Sequence, residues 1–226
     1  MSGGFSMSVD ISTIPNLKSD PLRYCLKNNL LDHDGLWLEF GTWKGQTLDL
    51  ISQYTENVVY GFDTFSGLDY SWQGTLSGSM KFFDIWGIPP TSVIPINPDV
   101  RNGFCGEERP FRDNVEFVCG LFEDTLSDFL LSKNRKISFI HIDCDIYEST
   151  KVIFEFCFNF LKNGCVVVFD ELVNYDGYEN HELKALTEFM SVQKVYRMEW
   201  IGMEDSLGDM DCFGSSVACK FYMVNQ

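Results

Sequence analysis

The residues of this chain with the types and spacing to do chemistry are carboxylates at the ends of apolar runs. Leu36-Trp-Leu-Glu-Phe-Gly-Thr-Trp-Lys-Gly45 carries one acid, Glu39, and breaks into a turn with glycines at 41 and 45. Gly41 and Gly45 let a ligand lie against backbone, because glycine has no Cβ in the way. The first N–H groups of a helix starting near Gly45 have no intrahelical partner and attract the negative end of a ligand. The pattern is Glu39-x-Gly41-x-x-x-Gly45 and not Gly-x-Gly-x-x-Gly, so it is less suited to a pyrophosphate. Its acid suits a cation such as an amino-acid ammonium. Asp63 ends the next apolar run, about where a ribose-binding acid follows the first glycine turn in nucleotide folds. It reads either as an acceptor for two ribose hydroxyls or as a turn-starting aspartate.

Three more acids end later apolar runs. Asp143 closes Lys136-Ile-Ser-Phe-Ile-His-Ile, and Asp170-Glu171 closes Gly164-Cys-Val-Val-Val-Phe. Converging carboxylates repel one another unless a cation or protons intervene. A set with oxygen donors only favours a hard ion, Mg²⁺ first and then Mn²⁺ or Ca²⁺. The same residues could also serve as caps and ribose ligands with no metal. His141, inside its run, reads as a core histidine, and His33 belongs to no motif.

Strands and helices alternate to position these groups. Asp20 caps a helix with Pro21 in its first turn and Leu22, Cys25, Leu26 and Leu30 on one face. Strands are expected at 36–40, 57–62, 114–119, 136–143 and 164–170. The helices that follow are expected at 45–54, 124–131, 149–161 and 180–190. Continuous apolar strands require a sheet covered on both faces. Strands at 194–201 and 215–224 have no helix between them and close the sheet as a hairpin. The fold class is therefore α/β, a Rossmann-like doubly wound sheet of seven strands with a terminal antiparallel hairpin, in one domain spanning 1–226. Residues 1–34 form an N-terminal cover segment. Residues 69–113, rich in aromatics, glycine and proline, form a lid-like insertion.

Composition narrows the function. The net charge of −16 argues against nucleic acid or an anionic membrane surface as partner. Eight cysteines without Cys-x-x-Cys spacing read as buried thiols in a reducing, cytoplasmic setting. No apolar run reaches the ~20 residues of a membrane span, and residues 1–14 lack the pattern of a signal peptide. The cover and the lid-like stretch offer surfaces on which a second copy could pack, making a homo-oligomer.

The acid-Gly-x-x-x-Gly turn resembles motif I of class I S-adenosylmethionine (SAM) methyltransferases, and the terminal hairpin resembles the end of their sheet. His141-Ile-Asp-Cys-Asp-Ile-Tyr-Glu-Ser-Thr150 with Gly164-Cys-Val-Val-Val-Phe-Asp-Glu171 is similar to the macrocin O-methyltransferase family of sugar O-methyltransferases. Gly61-Phe-Asp-Thr-Phe-Ser-Gly-Leu68 and Gly120-Leu-Phe-Glu-Asp-Thr125 fit that family too, so the resemblance runs from about Gly35 to Phe189. It implies methyl transfer from SAM to a hydroxyl of a sugar or glycan, assisted by Mg²⁺ or Mn²⁺ held by Asp143, Asp170 and Glu171. Glu171 departs from the second aspartate of the best-known members. The resemblance places Glu39, Gly41, Thr42 and Gly45 at the methionine end and Asp63 at the ribose. Phe65 and Gly120, Leu121 and Phe122 fall at the adenine, and Asp143 between methionine and metal. Asp143, Asp145 and His181 are the catalytic candidates, with Asp145 and His181 as alternative proton acceptors. A phenolic or catechol acceptor, a SAM-binding subunit without activity and a nicotinamide-dependent oxidoreductase are the rival readings. The missing third glycine and the terminal hairpin disfavour the last.

Overall fold

The computed structural model describes residues 9–43, 45–65, 111–204 and 214–224. Most of the lid-like stretch, the first eight residues and residues 205–213 between the two hairpin strands lie outside the described residues.

Eight strands form one sheet: β1 (Asn16–Leu17), β2 (Leu36–Phe40), β3 (Val59–Asp63), β4 (Val115–Cys119), β5 (Ile137–Ile142), β6 (Leu161–Val173), β7 (Tyr196–Glu204) and β8 (Ser215–Met223). Their order across the sheet is β1-β7-β8-β6-β5-β2-β3-β4. All neighbours are parallel except β8, which runs antiparallel to both β6 and β7. The expected doubly wound sheet with its closing hairpin is present. It gains one edge strand, because Asn16 and Leu17 pair with Met203 and Glu204 of β7. Two residues are too few to show a period, so the sequence pattern carries no signal for this strand.

The helices are α1 (Pro21–Lys27), α2 (Gln46–Ser52), α3 (Phe122–Lys133), α4 (Tyr147–Cys157) and α5 (Glu182–Val192). Asp20 caps α1 as expected, accepting the Arg23 N–H at 2.6 Å. Because side chains alternate along a strand, Leu36, Leu38 and Phe40 share one face of the sheet with Ile140, Ile142, Val167 and Phe169. That face is covered by α3, α4 and α5 through Leu126, Leu130, Ile153, Phe154, Leu186 and Met190. Trp37, Val59, Phe139, Val166 and Val168 point the other way, under α1 and α2. Within the N-terminal segment, Leu22, Cys25 and Leu26 of α1 seal the second face, while most of residues 9–20 keep exposure.

The second face changes character along the strands. Beyond Trp37 comes Glu39, beyond Phe139 come His141 and Asp143, beyond Val168 comes Asp170, and beyond Val59 come Gly61 and Asp63. Register puts these in line, with Glu39 opposite Gly61 on one side and His141 on the other. The apolar end is core, and the carboxyl end is where open α/β sheets bind ligands.

Among the described residues no helix is long and apolar enough to cross a membrane. Cys25, Cys119, Cys144, Cys157, Cys165 and Cys219 are free thiols, all but Cys119 buried.

Candidate active site

Glu39 is fully buried in β2. Its Oε1 lies 2.9 Å from His141 Nδ1, while Oε2 has no hydrogen-bond partner. Burial pushes its pKa up, against the pull of the histidine. A buried acceptor without a donor is costly, and a ligand ammonium is the group that would satisfy it.

The turn after Glu39 fits against the next strand end. Gly41 sits at φ +82°, and a Cβ there would lie 1.8 Å from the Asp143 carbonyl oxygen. Only glycine allows β2 and β5 to end this close. Asp63 holds the turn from the other side. Its Oδ2 accepts the N–H groups of Thr42 at 2.9 Å and Trp43 at 3.0 Å, and its Oδ1 accepts that of Phe65 at 2.7 Å. Burial raises the Asp63 pKa and these backbone donors oppose the rise. A ribose would have to share the carboxylate with them. Gly45 caps α2 at φ +72°, against the ring of Phe111.

The expected adenine wall divides. Phe65 is buried with its ring edge-on to Phe117 at 5.7 Å, and Phe122 packs edge-on to Phe40 at 5.2 Å in the core. Gly120 and Leu121 keep exposure at the strand end, where the Gly120 N–H reaches the Asp63 carbonyl at 3.0 Å.

The acids after β5 and β6 are arranged differently. One oxygen each from Asp143, Asp145 and Glu171 lie within 4.8 Å of one another. Burial, then the charges of Asp170 and Glu171, raise the Asp143 pKa well above the carboxylate range. Burial and Asp170 push Asp145 up to about 7. Burial, with Asp170 and Asp145, pushes Glu171 up to about 9. Asp170 keeps a side chain 41% exposed, with Oδ1 3.7 Å from His141 Nε2, close enough for an ion pair but without a hydrogen bond. Burial works to raise its pKa, but the histidine holds it below the usual value. Of the expected trio, Asp143 and Glu171 share this grouping with Asp145, while Asp170 stands outside it beside His141; Asp143 also groups with Glu39 and His141. Glu171 Oε2 is buried without a hydrogen-bond partner. Crowded oxygens, one of them unpartnered and all without sulfur or nitrogen, fit a hard divalent cation.

Non-glycine residues at positive φ mark the same rim. Trp43, Phe65, Asp145 and Asn174 stand at φ +41°, +56°, +67° and +70°, just beyond β2, β3, β5 and β6 in turn. Backbone held in this region costs of order 1–3 kcal/mol at each position, and here it falls where the strands hand over to the site.

His181 lies at the start of α5, with Nδ1 3.2 Å from the Tyr175 hydroxyl. Burial lowers its pKa, which keeps the ring neutral and able to take a proton. Tyr175, buried, feels the charges of Glu182, Glu171 and Asp145 after burial itself, and its pKa rises. Sequence reading gave no role to Tyr175, Glu182 or His141. Glu182 is fully buried with both carboxylate oxygens lacking a hydrogen-bond partner. Burial, then Glu171 and Asp145, push its pKa well up. The signal for it was its place one turn before Leu186 on the buried face of α5. For His141 the signal was strand parity with Asp143.

A family profile described as a methyltransferase domain matches residues 38–172, more than half of the chain. The chain belongs to the methyltransferase domain family. The matched span runs from β2 into β6 and contains Glu39, the glycine turn, Asp63 and the acid cluster. No curated protein sequence matches this methyltransferase significantly. Among solved structures it resembles CalS11, a calicheamicin methyltransferase, with 19% identity and TM-score 0.55, over 87% of this chain and 76% of that one. It also resembles the O-methyltransferase NovP, with 19% identity and TM-score 0.54, over 88% and 77%. An rRNA methylase from Streptococcus thermophilus shares 13% identity with TM-score 0.51, over 91% and 99%. At such identities the likeness shows the fold: a methyltransferase sheet that other chains use with very different acceptors.

Proposed function

We propose that this methyltransferase transfers the methyl group of SAM to a hydroxyl of a sugar or glycan, with a divalent metal at the acid cluster. The convergence of Asp143, Asp145 and Glu171 within 4.8 Å, one strand away from the unpartnered Oε2 of Glu39, carries this reading. The sugar acceptor is supported by the resemblance of the Asp143–Thr150 and Gly164–Glu171 segments to the macrocin family. CalS11, a fold neighbour at 20% identity, is described as a TDP-rhamnose 3'-O-methyltransferase. The charge of −16 disfavours an RNA acceptor.

In this reading Glu39 takes the ammonium of SAM, and the Asp63-braced turn from Gly41 to Gly45 lies along its methionine. Gly120 and Leu121 border the adenine. Asp143, Asp145 and Glu171, with Asp170 behind them, would hold Mg²⁺ or Mn²⁺. When bound, such an ion supplies a Lewis acid that lowers the pKa of a coordinated hydroxyl. With Asp145 turned into the cluster, His181 is the proton acceptor: its ring is kept neutral by burial, and both Tyr175 and Glu182 beside it sense the same carboxylates. Holding the methyl donor and the acceptor hydroxyl side by side at these strand ends would supply the in-line orientation that methyl transfer needs.

The test is calorimetric titration with SAM, S-adenosylhomocysteine (SAH) and NADH, with Mg²⁺ and after EDTA treatment, followed by methylation assays on nucleotide sugars and catechols. SAM and SAH binding without NADH, and Mg²⁺-dependent methylation of a nucleotide sugar, are expected. Methylation of catechols alone would move the acceptor to a phenol. Binding without turnover on any acceptor would leave a SAM-binding subunit, and NADH binding with silence from SAM would sink the proposal.

A further inference from the structure

The segment between β6 and α5 is built to hold a pair of rings. Asn174 stands at φ +70° just beyond β6, and its amide donates to the Ser215 hydroxyl at the start of β8 at 3.0 Å. Tyr175 follows and is buried. Its ring fills the space that a side chain at position 214 would need. A Cβ on Gly214 would come within 2.6 Å of Tyr175 Cδ1 and 3.4 Å of Glu171 Cβ. The glycine thus seats the tyrosine beside the stem of an acid of the cluster. The chain then folds back through a short turn, in which the His181 N–H reaches the Tyr178 carbonyl at 3.3 Å. That return sets the imidazole beside Tyr175. The ring centroids are 5.8 Å apart with planes tilted by 31°, and Nδ1 lies 3.2 Å from the hydroxyl.

A neutral imidazole has two tautomers, and the partner of one nitrogen decides which of the two bears the proton. The Tyr175 hydroxyl has one proton and two lone pairs to offer. The charged groups that act on it most are Glu182, Glu171 and Asp145. Glu182 is fully buried with both carboxylate oxygens lacking a hydrogen-bond partner. A hydroxyl so placed turns its proton to the carboxylate side and a lone pair to the imidazole.

We propose that Tyr175 is a positioning residue that fixes the tautomer of His181: its hydroxyl accepts a hydrogen bond from Nδ1–H, so that Nε2 is the nitrogen that takes up a proton. This rests on the reading above, in which His181 receives the proton of the acceptor hydroxyl. Tyr175 is then the third group that orients a base. A proton taken at Nε2 makes an imidazolium with N–H at both positions, and the Nδ1–H bond to the hydroxyl is kept throughout. A tyrosine serving only to pack against Gly214 would let the ring carry its proton on either nitrogen.

The tautomer is read from ¹⁵N-histidine spectra at about pH 8, where the His181 ring is neutral. The chain has three histidines, and the signals of His181 are those lost in His181→Gln. The expected form carries its proton on Nδ1, the reverse of the Nε2–H form that histidine favours in solution. Tyr175→Phe keeps the ring against Gly214 and removes the hydroxyl, and it is expected to return His181 to the Nε2–H form. An Nε2–H ring in the unaltered protein, or a tautomer unmoved by Tyr175→Phe, would overturn the proposal.

Kinetics with the nucleotide sugar that the protein methylates give the second readout. His181→Gln is expected to lower kcat about 100-fold, as loss of a general base does. Tyr175→Phe is expected to lower kcat about 10-fold with the KM for SAM within about twofold, the pattern of a contribution made in the transition state. Added to His181→Gln, Tyr175→Phe should cost nothing further, because the two residues act as a unit. The same loss in both backgrounds would overturn the proposal. Failure of the unaltered protein to methylate any acceptor would instead overturn the function from which it starts, and the spectra would still decide the direction of the hydrogen bond.

Discussion

The carboxyl ends of β2 and β3 and those of β5 and β6 all carry acids, yet they treat them in opposite ways. At β2 and β3 the acids have donors: Glu39 has His141, and Asp63 has three backbone N–H groups. At β5 and β6 acid faces acid. Burial and then the charge of Asp170 raise the pKa of Asp143, Asp145 and Glu171, while His141 holds that of Asp170 down. The first half is braced by donors, while the second crowds carboxylates whose raised pKa values keep protons on them. Pre-organisation and stored repulsion sit a strand apart in the same sheet.

The joint between the halves is the place to break this contrast most severely. A Cβ on Gly41 meets the Asp143 carbonyl at 1.8 Å and also strains a left-handed backbone. Gly41→Ala should therefore push β2 and β5 apart at their ends. Loss of SAH binding by about 100-fold or more, with a clear fall in melting temperature, is expected from calorimetry and circular dichroism.

Removing one acid from each half sharpens the contrast, because the two changes should move stability in opposite directions. Asp63→Asn deprives the glycine turn of an acceptor and should destabilise by about 1–3 kcal/mol. At about 2–4 °C per kcal/mol for a chain of this size, the melting temperature should drop visibly. Glu171→Gln takes a charge out of a crowded cluster and should raise the melting temperature of metal-free protein, while weakening Mg²⁺ at least tenfold. A fall in melting temperature for both variants would erase the distinction between the halves.

The smallest effect is a pH dependence. Asp145 and Glu171 ionise near pH 4 when unfolded but keep their protons to about 7 and about 9 in the fold. Between those limits the native state binds more protons than the unfolded one. Stability of the EDTA-treated protein should therefore be fullest at low pH and fall as pH rises through the window. Melting curves from pH 5 to 9 should show that decline, and Mg²⁺ should cancel most of it at the alkaline end. A flat EDTA-treated profile would mean that the carboxylates do not repel as described.

Strands were legible because buried parallel strands are continuous apolar runs, and the acids that end them were legible as ligand-facing for the same reason. Lys136–Asp143 and Gly164–Asp170 needed no further information. Partnerships between strands were not legible. That Asp170 turns to His141, and His141 to Glu39 more than a hundred residues earlier, depends on the register of three strands. Phe65 and Phe122 show the same limit. An aromatic beside a strand end can face ligand or core, and here Phe117 and Phe40 decided for the core. The pairing of Asn16–Leu17 was hidden by its length.

That short pairing bears on how the chain is made. During synthesis Asn16 and Leu17 emerge 187 residues ahead of their partners Met203 and Glu204. Until then the outermost rung of the sheet cannot close. Once closed, it covers part of the exposed flank of β7, the kind of unpaired edge on which other chains add strands and aggregates grow. The segment thus acts as a late-fitting guard rail, and removing residues 9–18 should make the folded protein more prone to associate edge to edge before it disturbs the site.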